Sequence, residues 1–176
     1  MIERARAGME ALAKGDIARY APALLRSIAQ DGDDACLETL ASAPGAYTRT
    51  CVHECGEFEL VLLNWAPGSI SEIHDHGGQM CWFAVLRGGL HVANFRRIDN
   101  GANEGYAKLA GIGAARLVTG DLDTRLADVD VHRVANPYET RAVSLHVYAR
   151  PLRTYRIFDE RAETWALATS HYDARL

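Results

Sequence analysis

The sequence predicts a mostly β protein: an antiparallel β-sandwich or jelly-roll barrel behind a short helical segment. Three observations carry this. From Tyr47 onward, strand-length apolar runs alternate with glycine-bearing turns at near-regular spacing. Residues 1–44 instead show helix-forming composition and helical spacing of apolar side chains. The 176 residues have no internal break in composition, so one domain is expected, helical over 1–44 and β-rich over 45–176.

In chain order, residues 2–13 are rich in Ala, Glu, Arg and Leu and read as a first helix. Gly15 and Asp16 supply a stop and an N-cap. Ile17, Tyr20, Ala21, Leu24, Leu25 and Ile28 then mark one face of a helix over 17–30, with Pro22 tolerated in its first turns. A third short helix is expected over 34–41, and Ser42-Ala43-Pro44-Gly45 closes the helical part. Strands are expected near 47–53, 57–65, 70–75, 80–87, 90–97, 105–110, 114–119, 131–135, 142–149 and 153–158. Turns fall at Ala66-Pro67-Gly68, Gly77-Gly78, Gly88-Gly89, Asn100-Gly101, Gly111, Gly113 and Gly120-Asp121. The polar stretch 159–176 is expected to pack along the outside.

Charge and composition exclude several function classes. With 19 basic and 23 acidic residues, the formal charge is −4 and no basic block is present. Neither nucleic acid nor an anionic membrane surface is therefore an expected partner. The longest apolar runs, such as CWFAVL, are far short of a membrane span. No apolar stretch follows the charged N-terminus, so no signal peptide is expected and the protein is placed in the cytoplasm. Cys36, Cys51, Cys55 and Cys81 are too sparse for a disulfide framework. Cys51-x3-Cys55 around His53 lacks a second pair, so ordinary semi-buried thiols are expected there rather than a zinc knuckle.

The chemistry concentrates in Gly68-x5-His74-x-His76-x4-Cys81-x6-Gly88. On a strand, His74 and His76 project from the same face, which provides half of a metal site. The segment resembles the first motif of the cupin superfamily, with Cys81 where cupins usually carry glutamate. His132-x3-Asn136 resembles the end of the second cupin motif, without the preceding proline and glycines. Three histidines can bind one divalent ion and leave positions open. Such a set is neutral, so the ion keeps its full charge and favours an anionic ligand such as a thiolate.

The ordered set of motifs over 47–159 resembles the cysteine dioxygenase family of thiol dioxygenases. The motifs are Tyr47-Thr48-Arg49, Leu63 with Trp65, Ile73-His74-Asp75-His76, Cys81, His132-Arg133-Val134 with Asn136, and 142–148. The resemblance implies that His74, His76 and His132 ligate Fe(II). It implies Arg49 as the partner of a substrate carboxylate, Tyr47 as the positioner of Arg49 or of the active-site tyrosine, and Leu63 and Trp65 beside the substrate. A guanidinium fork suits a carboxylate because it can make two parallel charge-assisted bonds. Ser144, His146 and Tyr148 alternate with apolar residues and so share one sheet face. By resemblance that face lines the iron cavity, and a Ser–His–Tyr chain orients the tyrosine hydroxyl. Cys81 falls where some members carry a cysteine linked covalently to that tyrosine, which implies a Cys81–Tyr148 thioether.

Two departures bear on the substrate. Cysteine-specific members read Ser-Pro-Pro after the tyrosine, with a cis bond; here Ala149-Arg150-Pro151 follows, and a trans bond is the default. Tyr155 stands where those enzymes tend to have a small thiol residue. The implied activity is oxidation of a small carboxylate-bearing thiol by O2 to the sulfinate, with L-cysteine the first substrate. The alternatives are another mercapto acid (3-mercaptopropionate, or mercaptosuccinate if Arg150 joins Arg49), a different cupin enzyme, or a non-catalytic metal-binding cupin.

Overall fold

The computed structural model describes residue 8 and residues 16–31, 47–126 and 130–176. The helices expected over 2–13 and 34–41, the 42–45 stop and Cys36 lie outside the described residues. Helix α1 (Ile17–Asp31) starts at Asp16, whose carboxylate accepts the Arg19 backbone N–H at 3.3 Å. This is the expected N-cap. Ala21, Leu25, Ile28 and Ala29 turn inward, while Tyr20 on the flank stays 39% exposed.

Twelve strands follow: β1 (Tyr47–Glu54), β2 (Glu59–Trp65), β3 (Ile73–His74), β4 (Cys81–Arg87), β5 (Gly89–Arg97), β6 (Leu109–Val118), β7 (Leu122–Arg125), β8 (Val131–Ala135), β9 (Ala142–Tyr148), β10 (Thr154–Asp159), β11 (Thr164–Thr169) and β12 (Ala174–Arg175). They form two six-stranded sheets, ordered β12-β1-β2-β9-β4-β7 and β11-β10-β3-β8-β5-β6. The one parallel pair is β1 with β12; the other pairings are antiparallel. The fold is a jelly-roll β-sandwich with one described helix, as its strand pattern predicts. No helix among the described residues is long and apolar enough to cross a membrane.

The central strands of the first sheet, β2, β9 and β4, are buried on both faces, so the polar residues that alternate along β9 face the interior rather than solvent. Leu60, Leu62, Trp82, Ala84, Leu145 and Val147 point toward α1 and form one core cluster with it. Val61, Leu63, Trp65, Cys81, Phe83 and Val85 point the other way and meet Leu90, Val92 and Val134 of the second sheet. Register fixes what shares this inner face: Tyr148 lies opposite both Glu59 and Cys81, His146 opposite Val61 and Phe83, and Ser144 opposite Leu63 and Val85.

Five strands differ from the sequence expectation. The strands expected at 105–110 and 114–119 are one strand, β6, running through Gly111 and Gly113. Phe95 pairs with Gly111 and the adjacent Asn94 with Gly113, so Ile112 is the extra residue of a bulge. Gly113 takes φ 140 there, so this glycine bends a strand rather than ending it. The strand expected at 70–75 shrinks to two residues, with Ile70 making only an isolated bridge to Ala135. Strand β7 arises in a segment too short and polar to signal itself. The C-terminal stretch is not merely an outer covering: β11 and β12 add one edge strand to each sheet.

Candidate metal centre

Strands β3 and β8 are neighbours, and His74 is the register partner of His132. His76 joins them from the loop beyond β3. That loop turns at Gly77, where φ is 61 and a Cβ would stand 2.5 Å from the Thr154 carbonyl, so only glycine fits. Potential ligand atoms of the three histidines all lie within 4.8 Å of one another. His74 Nε2 and His132 Nε2 are 3.2 Å apart. That is the spacing of two nitrogens sharing one ion at about 2.1 Å.

The protonation states suit ligation. His74 Nδ1 lies 2.9 Å from the Glu72 carbonyl, which can only accept, so Nδ1 carries the proton and Nε2 keeps its lone pair. His76 and His132 are 3% and 2% exposed. Burial first, and neighbouring imidazoles next, hold both well below the ordinary histidine range. His74 keeps some exposure, yet burial of its ring still lowers it to about 4. All three are therefore neutral donors around one point, and this set fits a divalent first-row ion. It is the one cluster of potential metal ligands among the described residues. Cys51 and Cys55 are free thiols and belong to no group of three potential metal ligands among the described residues.

Across the sandwich, β1 and β9 supply the organic side of the site. A cavity of about 220 Å³ is lined by His74, Arg49, Tyr148, Tyr47, Tyr155 and His171, among others. Arg49 is 9% exposed, and its guanidinium carbon lies 5.8 Å from the Tyr148 ring centre. Its Nε donates to the His171 carbonyl at 3.1 Å and its Nη2 to Ser170 Oγ at 3.2 Å. Its backbone N–H donates to Asp173 at 2.8 Å. Burial pushes the Tyr148 phenol well above its ordinary range, with Arg49 opposing, so Tyr148 keeps its proton. A larger groove of about 610 Å³ lies on the outer side of segment 70–73 and includes none of the three histidines in its lining.

Ser144 and His146 stand behind this wall. Trp65 Nε1 donates to Ser144 Oγ at 2.9 Å, and Ser144 Oγ pairs with His146 Nε2 at 2.9 Å. His146 stacks on Phe83 with ring centres 4.6 Å apart, while its ring centre is 6.1 Å from that of Tyr148. The His146–Tyr148 contact is thus between rings, and the hydrogen-bond chain runs from Trp65 through Ser144 to His146. Leu63 and Trp65 lie in the buried cluster beside these groups, with Trp65 packed on Tyr47 at 4.6 Å, and do not line the cavity. Cys81 is fully buried directly across from Tyr148, and burial pushes its thiol well up.

Other residues escaped sequence reasoning. Ser170, His171 and Asp173 hold Arg49, but in sequence they are only polar residues near a chain end. Tyr155, noted only as a departure, lines the cavity with its ring 5.9 Å from His74. Arg150 is exposed and does not line the cavity, and no peptide bond is cis among the described residues.

Comparison with known proteins agrees with this geometry. The chain is 36% identical over 118 residues to cysteine dioxygenase type 1 of Homo sapiens and of Rattus norvegicus, covering 65% of this chain. It spans 56% of the length of those relatives. Among solved structures, TT1209 from Thermus thermophilus superposes with a TM-score of 0.50 at 22% identity, over 65% of this chain and 93% of that one. The family model described as cysteine dioxygenase type I matches residues 38–161, more than half of the sequence, and the chain belongs to that family.

Proposed function

We propose that the chain is an Fe(II)-dependent thiol dioxygenase that converts a small carboxylate-bearing thiol and O2 to the sulfinate, with L-cysteine the first substrate. One observation carries this reading: His74, Arg49 and Tyr148 line a single cavity, with His76 and His132 grouped around His74. Held by His74, His76 and His132, Fe(II) would supply the redox chemistry between thiol and O2.

The residues of the chain do the rest. Arg49 binds the carboxylate, and Ser170 and His171 hold its fork in place. That converts a loose encounter into an oriented one. Because the three histidines are neutral, a bound ion would keep its full charge and favour an anionic thiol, with Arg49 the cation and Glu72 the carboxylate on the same wall. Tyr148 presents a protonated phenol to the reacting groups. Among the described residues Arg49 is the one arginine or lysine on the wall, which supports one carboxylate over two and weighs against mercaptosuccinate.

The Cys81–Tyr148 thioether belongs to the same reading. Forming it joins Sγ to a ring carbon and removes the thiol hydrogen and one ring hydrogen; O2 takes up these two hydrogens with their two electrons and leaves as hydrogen peroxide. The register opposition of the two residues supports it. Intact mass after turnover should fall by two hydrogens. The three described cysteines are free thiols, which supports a reducing, cytoplasmic setting.

The test is O2 uptake by the Fe(II)-loaded chain with L-cysteine, with product mass showing both oxygen atoms in the sulfinate. His132→Ala should lose iron and uptake together. Turnover retained in that variant, or L-cysteine oxidised only to the disulfide, overturns the proposal.

A further inference from the structure

The second nitrogen of His76 faces a carboxylate that no part of the reading above uses. His76 Nδ1 is buried and makes no hydrogen bond, and Asp130 Oδ2 is likewise buried and unpaired. The two lie 3.8 Å apart. That is longer than a hydrogen bond and within reach of a small rotation of either ring or carboxylate. A buried imidazole N–H and a buried carboxylate oxygen each cost free energy when left unpaired, so the pair gains by closing.

Asp130 is also anchored from behind. Its Oδ1 accepts from Arg125 Nη1 at 3.0 Å. Arg125 in turn bonds Asn94 Oδ1 at 2.6 Å and the Asp123 carboxylate. Arg125 and Asp123 come from β7 of the first sheet, and Asn94 from β5 of the second. The network thus ties the two sheets together beside the histidines. One guanidinium faces two carboxylates. Asp123 reaches only Arg125, whereas Asp130 reaches both Arg125 and His76. His74 already gives its Nδ1 proton to a neutral carbonyl; for His76 the available acceptor is anionic.

We propose that Asp130, braced by Arg125, is a positioning residue for the metal centre: it accepts the His76 Nδ1 proton and so aims the Nε2 lone pair at the ion. This inference rests on the metal-centre reading above. Ligating histidines commonly donate their other ring N–H in this way, which fixes the tautomer and strengthens the donor.

The test compares two isosteric variants of the full chain, Asp130→Asn and Asp123→Asn, with Zn(II) as a diamagnetic probe. Each removes one carboxylate from Arg125. In Asp130→Asn the single amide oxygen is engaged by Arg125, so the amide NH2 faces His76 and opposes the Nδ1–H tautomer. Expected is a roughly 10–100-fold loss of Zn(II) affinity in Asp130→Asn and less than about threefold in Asp123→Asn. Nitrogen-15 NMR should place the His76 proton on Nδ1 in the Zn(II)-loaded wild type. Wild-type affinity in Asp130→Asn, or equal losses in both variants, overturns the inference. So does a Zn(II)-loaded wild type whose His76 carries its proton on Nε2, a result that needs no variant to fold. A wild type that takes up neither Zn(II) nor Fe(II) removes the metal centre itself and this inference with it.

Discussion

Ser144 joins two buried polar groups that have few other options. Trp65 Nε1 and His146 Nε2 each reach its hydroxyl at 2.9 Å, and all three residues are at most 4% exposed. Ser144→Ala therefore leaves a buried donor and a buried ring nitrogen unpaired, and should cost about 1–3 kcal/mol of stability, read from urea unfolding. Arg49 makes a different prediction because its proposed partner is the substrate. Arg49→Ala removes a charge-assisted bond worth about 1.5–3 kcal/mol, so kcat/KM for L-cysteine should fall roughly 10–150-fold. Its iron content should stay at the wild-type level, because Arg49 is no ligand. Loss of iron in that variant would place Arg49 in the scaffold of the centre rather than in substrate binding. At this scale the spacing of His74 and His76 was legible by itself, whereas His132, Arg49 and Tyr148 stood out only through the family resemblance; the structure groups the three histidines. The supports of Arg49 were not legible, because a serine hydroxyl and a histidine backbone carbonyl carry no pattern until the chain end is folded onto β1.

Element boundaries followed whichever signal was strongest locally. Strand β9 was legible because Ser144, His146 and Tyr148 alternate with apolar residues, though its polar side faces inward. Strand β6 was split because glycine is the residue of both turns and bulges, and only pairing with β5 distinguishes them. Strand β11 has no alternation to detect: Leu167, at its centre, is 69% exposed. The same holds for β12, whose place depends on long-range bonds. Glu54 of β1 accepts from Arg175 of β12 at 3.0 Å and from Arg153. The Leu176 N–H adds a bond to the Cys51 carbonyl at 3.0 Å. These pairs set a pH dependence. The hydrogen bonds from Arg153 first, and then from Arg175, hold the Glu54 carboxyl below its ordinary value of about 4.5. A lowered folded pKa means the contribution is present above about 4.5 and lost as pH falls through the folded value. Amide exchange at 174–176 should accelerate as pH drops below about 4.5, after correction for intrinsic rates, and Glu54→Gln should show the fast rate already at pH 7. Exchange independent of Glu54 would mean that the β1–β12 backbone bonds alone hold the end.

On the scale of the molecule, the first sheet separates two jobs. Its outer face, with Leu62, Trp82, Leu145 and Val147, packs on α1 and supplies apolar burial. Its inner face, one residue out of phase on the same strands, carries Ser144, His146, Tyr148, Phe83 and Cys81 toward the second sheet and its histidines. The sandwich can therefore lose core energy on one side without moving the site on the other. Leu145→Ala, on the α1 side and 1% exposed, should cost about 2–5 kcal/mol of stability. An ion binds only the folded chain, so while that variant stays folded its intrinsic Zn(II) affinity should equal the wild type's. Phe83→Ala should lose a similar amount, about 3–5 kcal/mol, but it also removes the ring stacked 4.6 Å from His146. That variant should keep Zn(II) affinity, since the described ring contact of Phe83 is with His146 and not with His74, His76 or His132, and lose turnover beyond what its folded fraction explains. Thermal unfolding, Zn(II) titration and O2 uptake on the two variants separate the faces. Reduced Zn(II) affinity in folded Leu145→Ala would show that strain crosses the sheet, and the division between the faces would fail.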